Sequence, residues 1–218
     1  MLGKTHLFYG VTAGAAVALA LAHPARPLPL VEGALAGAFG GLLPDLDEPG
    51  STISNAPRIL GKMARRRLRR ATRRTVLALP GLLVGAIIGL LAAALNLLSR
   101  ALSRLVRFVA GGHREGSHWL PVWAGLSVAA YLLTVSYAGP WPAAGFSAGY
   151  LSHLAGDGCT KSGIPLIPRA AARLHLLPRP LRIRTGSFGE TLFSVAYAVA
   201  LVAAIAALYQ HRWLAIGG

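Results

Sequence analysis

Histidines and aspartates stand at the ends of long apolar runs in this chain: Thr5-His6, Asp45-Leu46-Asp47, His113-Arg114-Glu115-Gly116-Ser117-His118, and Ser152-His153 with Asp157 four residues on. Imidazole and carboxylate together are the donor set of Zn²⁺, Mn²⁺ and Fe²⁺ sites. Ionisable side chains at a membrane boundary are costly unless paired or metal-bound, so they point to function. His153 and Asp157 share one face of a helix and can chelate one ion; a simple His–Asp hydrogen bond would use the same spacing. Asp45 and Asp47 share a side in extended backbone and repel unless a cation lies between them. After Pro44, an Asp capping a turn is the structural alternative. His113 and His118 are five apart, so a straight helix would not align them. Gly111, Gly112 and Gly116 instead suggest a loop leading into a helix at Trp119. His6 means little alone. Taken jointly on one membrane face, His6, Asp45, Asp47, His113, His118, His153 and Asp157 form an expected metal site. These exceed what one zinc needs, so one or two divalent ions (Zn, Mn or Fe) are expected.

Polar neighbours complete the expectation. Arg114 adjoins two expected ligands and suits a phosphate or carboxylate. Ser117, Thr160 and Lys161 are expected substrate contacts. Glu190 follows Gly186-Ser187-Phe188-Gly189 at the start of the last apolar run, as a ligand, a general base or a helix N-terminal charge.

The elements that must position these groups are membrane helices. The chain of 218 residues is 54% hydrophobic and only 13% charged, with mean hydropathy +0.54, whereas soluble domains carry about 25% charged residues. The expected fold is an all-α integral membrane protein, a small polytopic helix bundle forming one domain over 1–218. The single cysteine, Cys159, excludes an intramolecular disulfide and a cysteine-based zinc cluster. Apolar runs cover 7–22, 30–43, 76–98, 119–138, 141–155 and 191–209. The first reads as a retained helix rather than a cleaved signal. Those at 30–43 and 141–155 are short of the about 20 residues a span needs, and their glycines suit close packing.

Net charge is +15, concentrated at 58–74, 100–114 and 161–184. Such runs read as a positive-inside signal in contact with anionic headgroups. Nucleic acid is the sharper alternative, but no aromatic interleaving or nucleic-acid motif supports it. With the N-terminus inside, the ligands converge on the cytoplasmic face if 76–98 forms a re-entrant or interfacial hairpin, for which Pro80-Gly81 and Gly85 supply breaks. All Lys and Arg except Arg26 and Arg212 then lie inside. Residues 99–109 read as an amphipathic surface helix. Residues 50–112 form an Arg-rich insertion with the apolar hairpin.

The motifs 1–10 with Thr5-His6, Leu42-Leu43-Pro44-Asp45-Leu46-Asp47 with Ser51, His113-Arg114 with Ser117-His118, and Gly149-Tyr150-Leu151-Ser152-His153 with Asp157 and Thr160 resemble the YdjM family. These are inner-membrane proteins to which metal-dependent hydrolysis is ascribed. The resemblance covers most of the chain outside 61–98 and the last span. It implies an inner-membrane hydrolase and leaves the substrate open. Site placement at headgroup level among arginines points to a phosphoester of a lipid or amphiphile. No His-Glu-x-x-His motif favours a peptidase. The alternative is a non-enzymatic, metal-stabilised membrane protein that recruits acidic lipid or nucleic acid through its arginines.

Overall fold

In the computed structural model the chain divides into two compact units, Met1–Pro44 with Arg114–Gly218, and Asp45–His113. The structure describes residues 1–21, 28–46, 48, 61–63, 66, 86–91, 93–94, 97, 101, 104, 116–165 and 172–216, with side chains of the last helix placed to 207. The fold is all-α. Five long helices carry the first unit among these residues: α1 Gly3–Leu21, α2 Leu28–Leu42, α3 Leu120–Ala138, α4 Trp141–Gly158 and α5 Phe188–Ile216.

Glycine decides how the first, second and fourth helices pack. A glycine inside a helix costs about 0.5–1 kcal/mol relative to alanine, and the close approach it permits offsets that cost. A Cβ on Gly10 or Gly37 would overlap the other's carbonyl oxygen, and one on Gly149 would overlap that of Gly37. A Cβ on Gly14 would sit 2.9 Å from the Cα of Gly37. The backbones therefore touch directly, as small-residue interfaces in membranes allow. Gly10 meets Gly37 and Gly41, and Gly14 meets Gly33 and Gly37, so α1 and α2 are antiparallel. Gly145 meets Gly33 and Gly149 meets Gly37, so α2 and α4 are parallel.

The remaining helices join with less burial. Pro121 lies in the first turn of α3, where its missing N–H costs nothing. At the other end Gly139, with φ 75°, breaks α3, and Pro140 leads directly into α4. The Trp123 indole N–H donates to the Ser147 carbonyl at 3.0 Å, tying α3 to α4. Tyr9 of α1 packs its ring on Tyr197 of α5, centroids 4.4 Å apart, and pairs with Ser194 at 3.0 Å. Contacts from Thr5 with Glu190 to Thr12 with Tyr197 run in step, so α1 and α5 are parallel.

The starts of α1, α3 and α5 and the ends of α2 and α4 consequently share one end of this unit. That end is closed by the stretch after α4. Strands β1 Ile164–Pro165 and β2 Arg173–Leu174 pair antiparallel. Leu176 N–H donates to the Gly158 carbonyl at 2.8 Å, and Ile183 N–H to the Cys159 carbonyl at 3.0 Å. By sequence alone, residues 160–189 read as a polar, Pro- and Arg-rich loop. The folded stretch instead satisfies the last carbonyls of α4, which a helix end must pair.

Helix α3 buries none of its side chains, and Leu132 and Leu133 are 68% and 70% exposed. Helix α3 and residues Phe188–Ala207 of α5 are long and apolar enough to cross a membrane. Apolar side chains exposed along most of such helices suit a lipid solvent. Helix α2, at 15 residues, spans about 22 Å.

In the second unit, residues 61–63, 66, 86–91, 93–94, 97, 101 and 104 are helical, and Ile87, Leu90, Leu91 and Leu97 are exposed. The rest of the expected hairpin at 76–98 and of the surface helix at 99–109 lies outside the described residues, as does most of the 58–74 arginine run.

Candidate metal centre

His6 enters the shared end from the second turn of α1, His118 from the turn just before α3, and His153 and Asp157 from the last turns of α4. All four side chains are fully buried. Asp157 is the hub. Its Oδ1 lies 3.3 Å from His6 Nε2, and its Oδ2 lies 3.4 Å from His118 Nε2 and 3.9 Å from His153 Nε2. The Nε2 atoms of His118 and His153 are 3.1 Å apart. The ring of His6 stacks on that of His153 with centroids 3.6 Å apart. Donor atoms bound at 2.0–2.1 Å around one tetrahedral ion are separated by about 3.3–3.4 Å. The contacts to Asp157 and between the two imidazoles approach those edges.

Outer contacts fix how the rings face. His153 Nδ1 lies 2.8 Å from the Gly41 carbonyl oxygen. A carbonyl only accepts, so Nδ1 carries the proton and Nε2 turns a lone pair toward Asp157. His118 Nδ1 pairs with Ser117 Oγ at 3.1 Å, and the Tyr150 hydroxyl donates to the Ser117 carbonyl. Glycine packing delivers the Gly41 contact, because α2 can end against both α1 and α4.

A proton shared between His118 and His153 would satisfy that pair. It would leave His6 Nδ1 of this fully buried ring without a hydrogen-bond partner and Nε2 with only its 3.3 Å approach to Asp157 Oδ1, and an unsatisfied buried polar group costs about 1–3 kcal/mol. A divalent cation held by His6, His153 and Asp157 would instead give His6 a ligand bond. Buried histidine and aspartate donors here can hold a metal ion, and this nitrogen-rich set suits zinc, manganese or iron rather than magnesium or calcium.

The other described residues singled out from the sequence take varied roles. Ser117 touches His118. The Thr160 hydroxyl donates to the Asp157 carbonyl at 2.7 Å and pairs with Ser162 at 2.8 Å, finishing α4. Lys161 is exposed, and its N–H donates to the Ile183 carbonyl at 3.0 Å. Glu190 is buried beside α1. Its Oε1 accepts from the Leu2 N–H at 2.7 Å and the Thr5 hydroxyl at 2.6 Å, and its Oε2 from the Gly186 N–H at 2.7 Å. These bonds tie the first turn of α1 to that of α5 and occupy the carboxylate. Asp45 closes a 3-10 turn, Leu43–Asp45, and belongs to the second unit. Asp47, His113 and Arg114 lie outside the described residues. Burial pushes the Cys159 thiol up, so it stays protonated.

Three partners had no sequence signal. The Gly41 carbonyl and the Ser117 carbonyl are backbone groups, which every residue possesses. The Met1 α-amino group donates to Asp157 Oδ1 at 2.7 Å, a contact across nearly the whole chain.

A helical membrane protein with a buried histidine–aspartate cluster capable of holding metal is the class that fold and site define. The family model for the YdjM inner membrane protein matches residues 1–215, and the chain belongs to that family. No curated protein and no solved structure matches it.

Proposed function

We propose that this protein is a multi-pass, metal-dependent hydrolase of the inner membrane that cleaves a phosphoester of a lipid or amphiphile at the cytoplasmic face. The observation that carries this reading is the convergence of His6, His118, His153 and Asp157 at one end of the helices. A bound Zn²⁺, Mn²⁺ or Fe²⁺ supplies a water acidic enough to ionise near neutral pH. The chain's part is to hold that group. Asp157 brings negative charge, Gly41 and Ser117 orient two imidazoles, and the packed helices exclude bulk water. Arg114, next in sequence to His113, is the assigned clamp for the substrate's phosphate. The basic stretches favour the cytoplasmic side and anionic headgroups as the surroundings of the site.

One observation favours a second reading. The four cluster side chains are wholly inaccessible, as suits a structural metal in a non-enzymatic protein. Purified protein analysed for metal and assayed on lipid phosphates, phosphodiesters, esters and amides separates the two. Metal-dependent release of phosphate supports the hydrolase. Stoichiometric metal with no turnover on that panel supports the structural site.

A further inference from the structure

The first turns of α1 and α5 flank an open cavity of about 320 Å³. Its polar wall includes Lys4, Thr5, Ser187, Glu190 and Thr191, and Phe8 contributes an apolar wall. That volume lies at the small end of ligand pockets, about 300–1,000 Å³. We propose that this cavity holds the anionic phosphate headgroup of an amphiphile, with Lys4 as its counter-charge.

Several features converge on that occupant. Lys4 is exposed at the cavity and has no ion-pair partner among the described residues. Glu190 is the opposing charge, but its carboxylate already accepts three hydrogen bonds from Leu2, Thr5 and Gly186. It keeps its charge, but these bonds hold the carboxylate against Leu2, Thr5 and Gly186, and no ion pair joins it to Lys4 among the described residues. Ser187 and Thr191 bring hydroxyls, which donate to phosphate oxygens without adding charge. The apolar side is equally specific. Leu2 and Phe8 are each 39% exposed, and Phe188 at the head of α5 is 81% exposed. A headgroup seated against Lys4 would thus leave its chain along an apolar surface that continues down α1 and α5. Free phosphate would find no use for that side. Thr5 lines the cavity, and His6, the next residue of α1, belongs to the histidine cluster. In this the inference rests on the hydrolase reading for its meaning, but not for its test.

The test is equilibrium binding to full-length protein in neutral detergent, without turnover. The probes are a single-chain lysophosphatidate, glycerol 3-phosphate and a monoacylglycerol. Lysophosphatidate should bind at least tenfold more tightly than either of the others. Lys4→Gln should weaken it about tenfold or more, the loss of one charge-assisted hydrogen bond, with metal content unchanged. Thr191→Leu, which fills the cavity, should weaken it similarly. Equal affinity of wild type and Lys4→Gln would overturn the proposal. So would equal binding of lysophosphatidate and monoacylglycerol. Glycerol 3-phosphate binding as tightly as lysophosphatidate would overturn the amphiphile and assign the site to free phosphate. A protein that binds lysophosphatidate through Lys4 but cleaves nothing would remove the hydrolase reading and leave this cavity assignment standing.

Discussion

Helices α3 and α4 follow one another through a two-residue turn, and both are rich in small and apolar residues, yet the structure uses them in opposite ways. Helix α4 buries Gly145, Gly149, Tyr150, His153 and Asp157, while α3 buries nothing. Helix α3 is the more apolar of the two, and the placement of glycine differs as well. Glycines four apart give α4 a groove that α2 enters to backbone contact, and the polar end of the helix is carried into the same contact. Gly125 of α3 has nothing within 4 Å of its Cβ position. The more apolar helix turns most of its side chains outward, while the glycine-grooved one builds the site.

The harshest way to break this contrast is at the hub. Asp157→Ala leaves the Met1 α-amino group and the three imidazoles around a missing charge. Removing one partner of a buried ion pair costs about 3–5 kcal/mol, so the variant should lose bound metal and melt at markedly lower temperature in detergent. Retention of stoichiometric metal by Asp157→Ala would show that the ion sits elsewhere.

Next in size is the glycine seam. Gly37→Val would press a branched side chain into the backbone of α1, where a Cβ already meets the Gly14 Cα at 2.8 Å. Overpacking of this kind costs about 1–3 kcal/mol, and the displaced α2 would withdraw the Gly41 carbonyl from His153. Lower metal affinity should accompany the lower stability. The matching change in α3, Gly125→Val, should stay within about 0.5 kcal/mol of wild type. If both valine variants melt alike, glycine packing is not what separates the two helices.

A smaller effect is expected where α5 is fastened. Glu190→Gln keeps the shape of the side chain but weakens charge-assisted bonds from Leu2, Thr5 and Gly186. A loss of about 1.5–3 kcal/mol follows if those bonds behave as hydrogen bonds to charged groups do. Metal content should be retained. Loss of metal with normal melting would instead place Glu190 among the ligands, as one sequence expectation had it.

Helix boundaries show how far hydropathy reads. The run at 141–155 stops short of α4, which continues to Gly158, and that at 191–209 begins inside α5, which starts at Phe188. Backbone hydrogen bonding does not end where apolar side chains do. His6, His153 and Asp157 therefore lie inside helices, though they look terminal in a hydropathy pattern. The pairing of His153 with Asp157 was legible because four residues make about one helical turn. That His118 meets them was inferred only from a shared membrane face.

Residue types and local spacing alone determined that this chain forms apolar helices with imidazole and carboxylate at their polar ends, because helix periodicity and hydrophobic transfer act over a few residues. Only the tertiary structure decided that Gly41 would orient His153, that the Met1 α-amino group would reach Asp157, and that Glu190 would tie two helices together. Those contacts depend on the direction and depth at which helices cross. These are set by backbone approach at glycines far apart in sequence, and no local pattern encodes them.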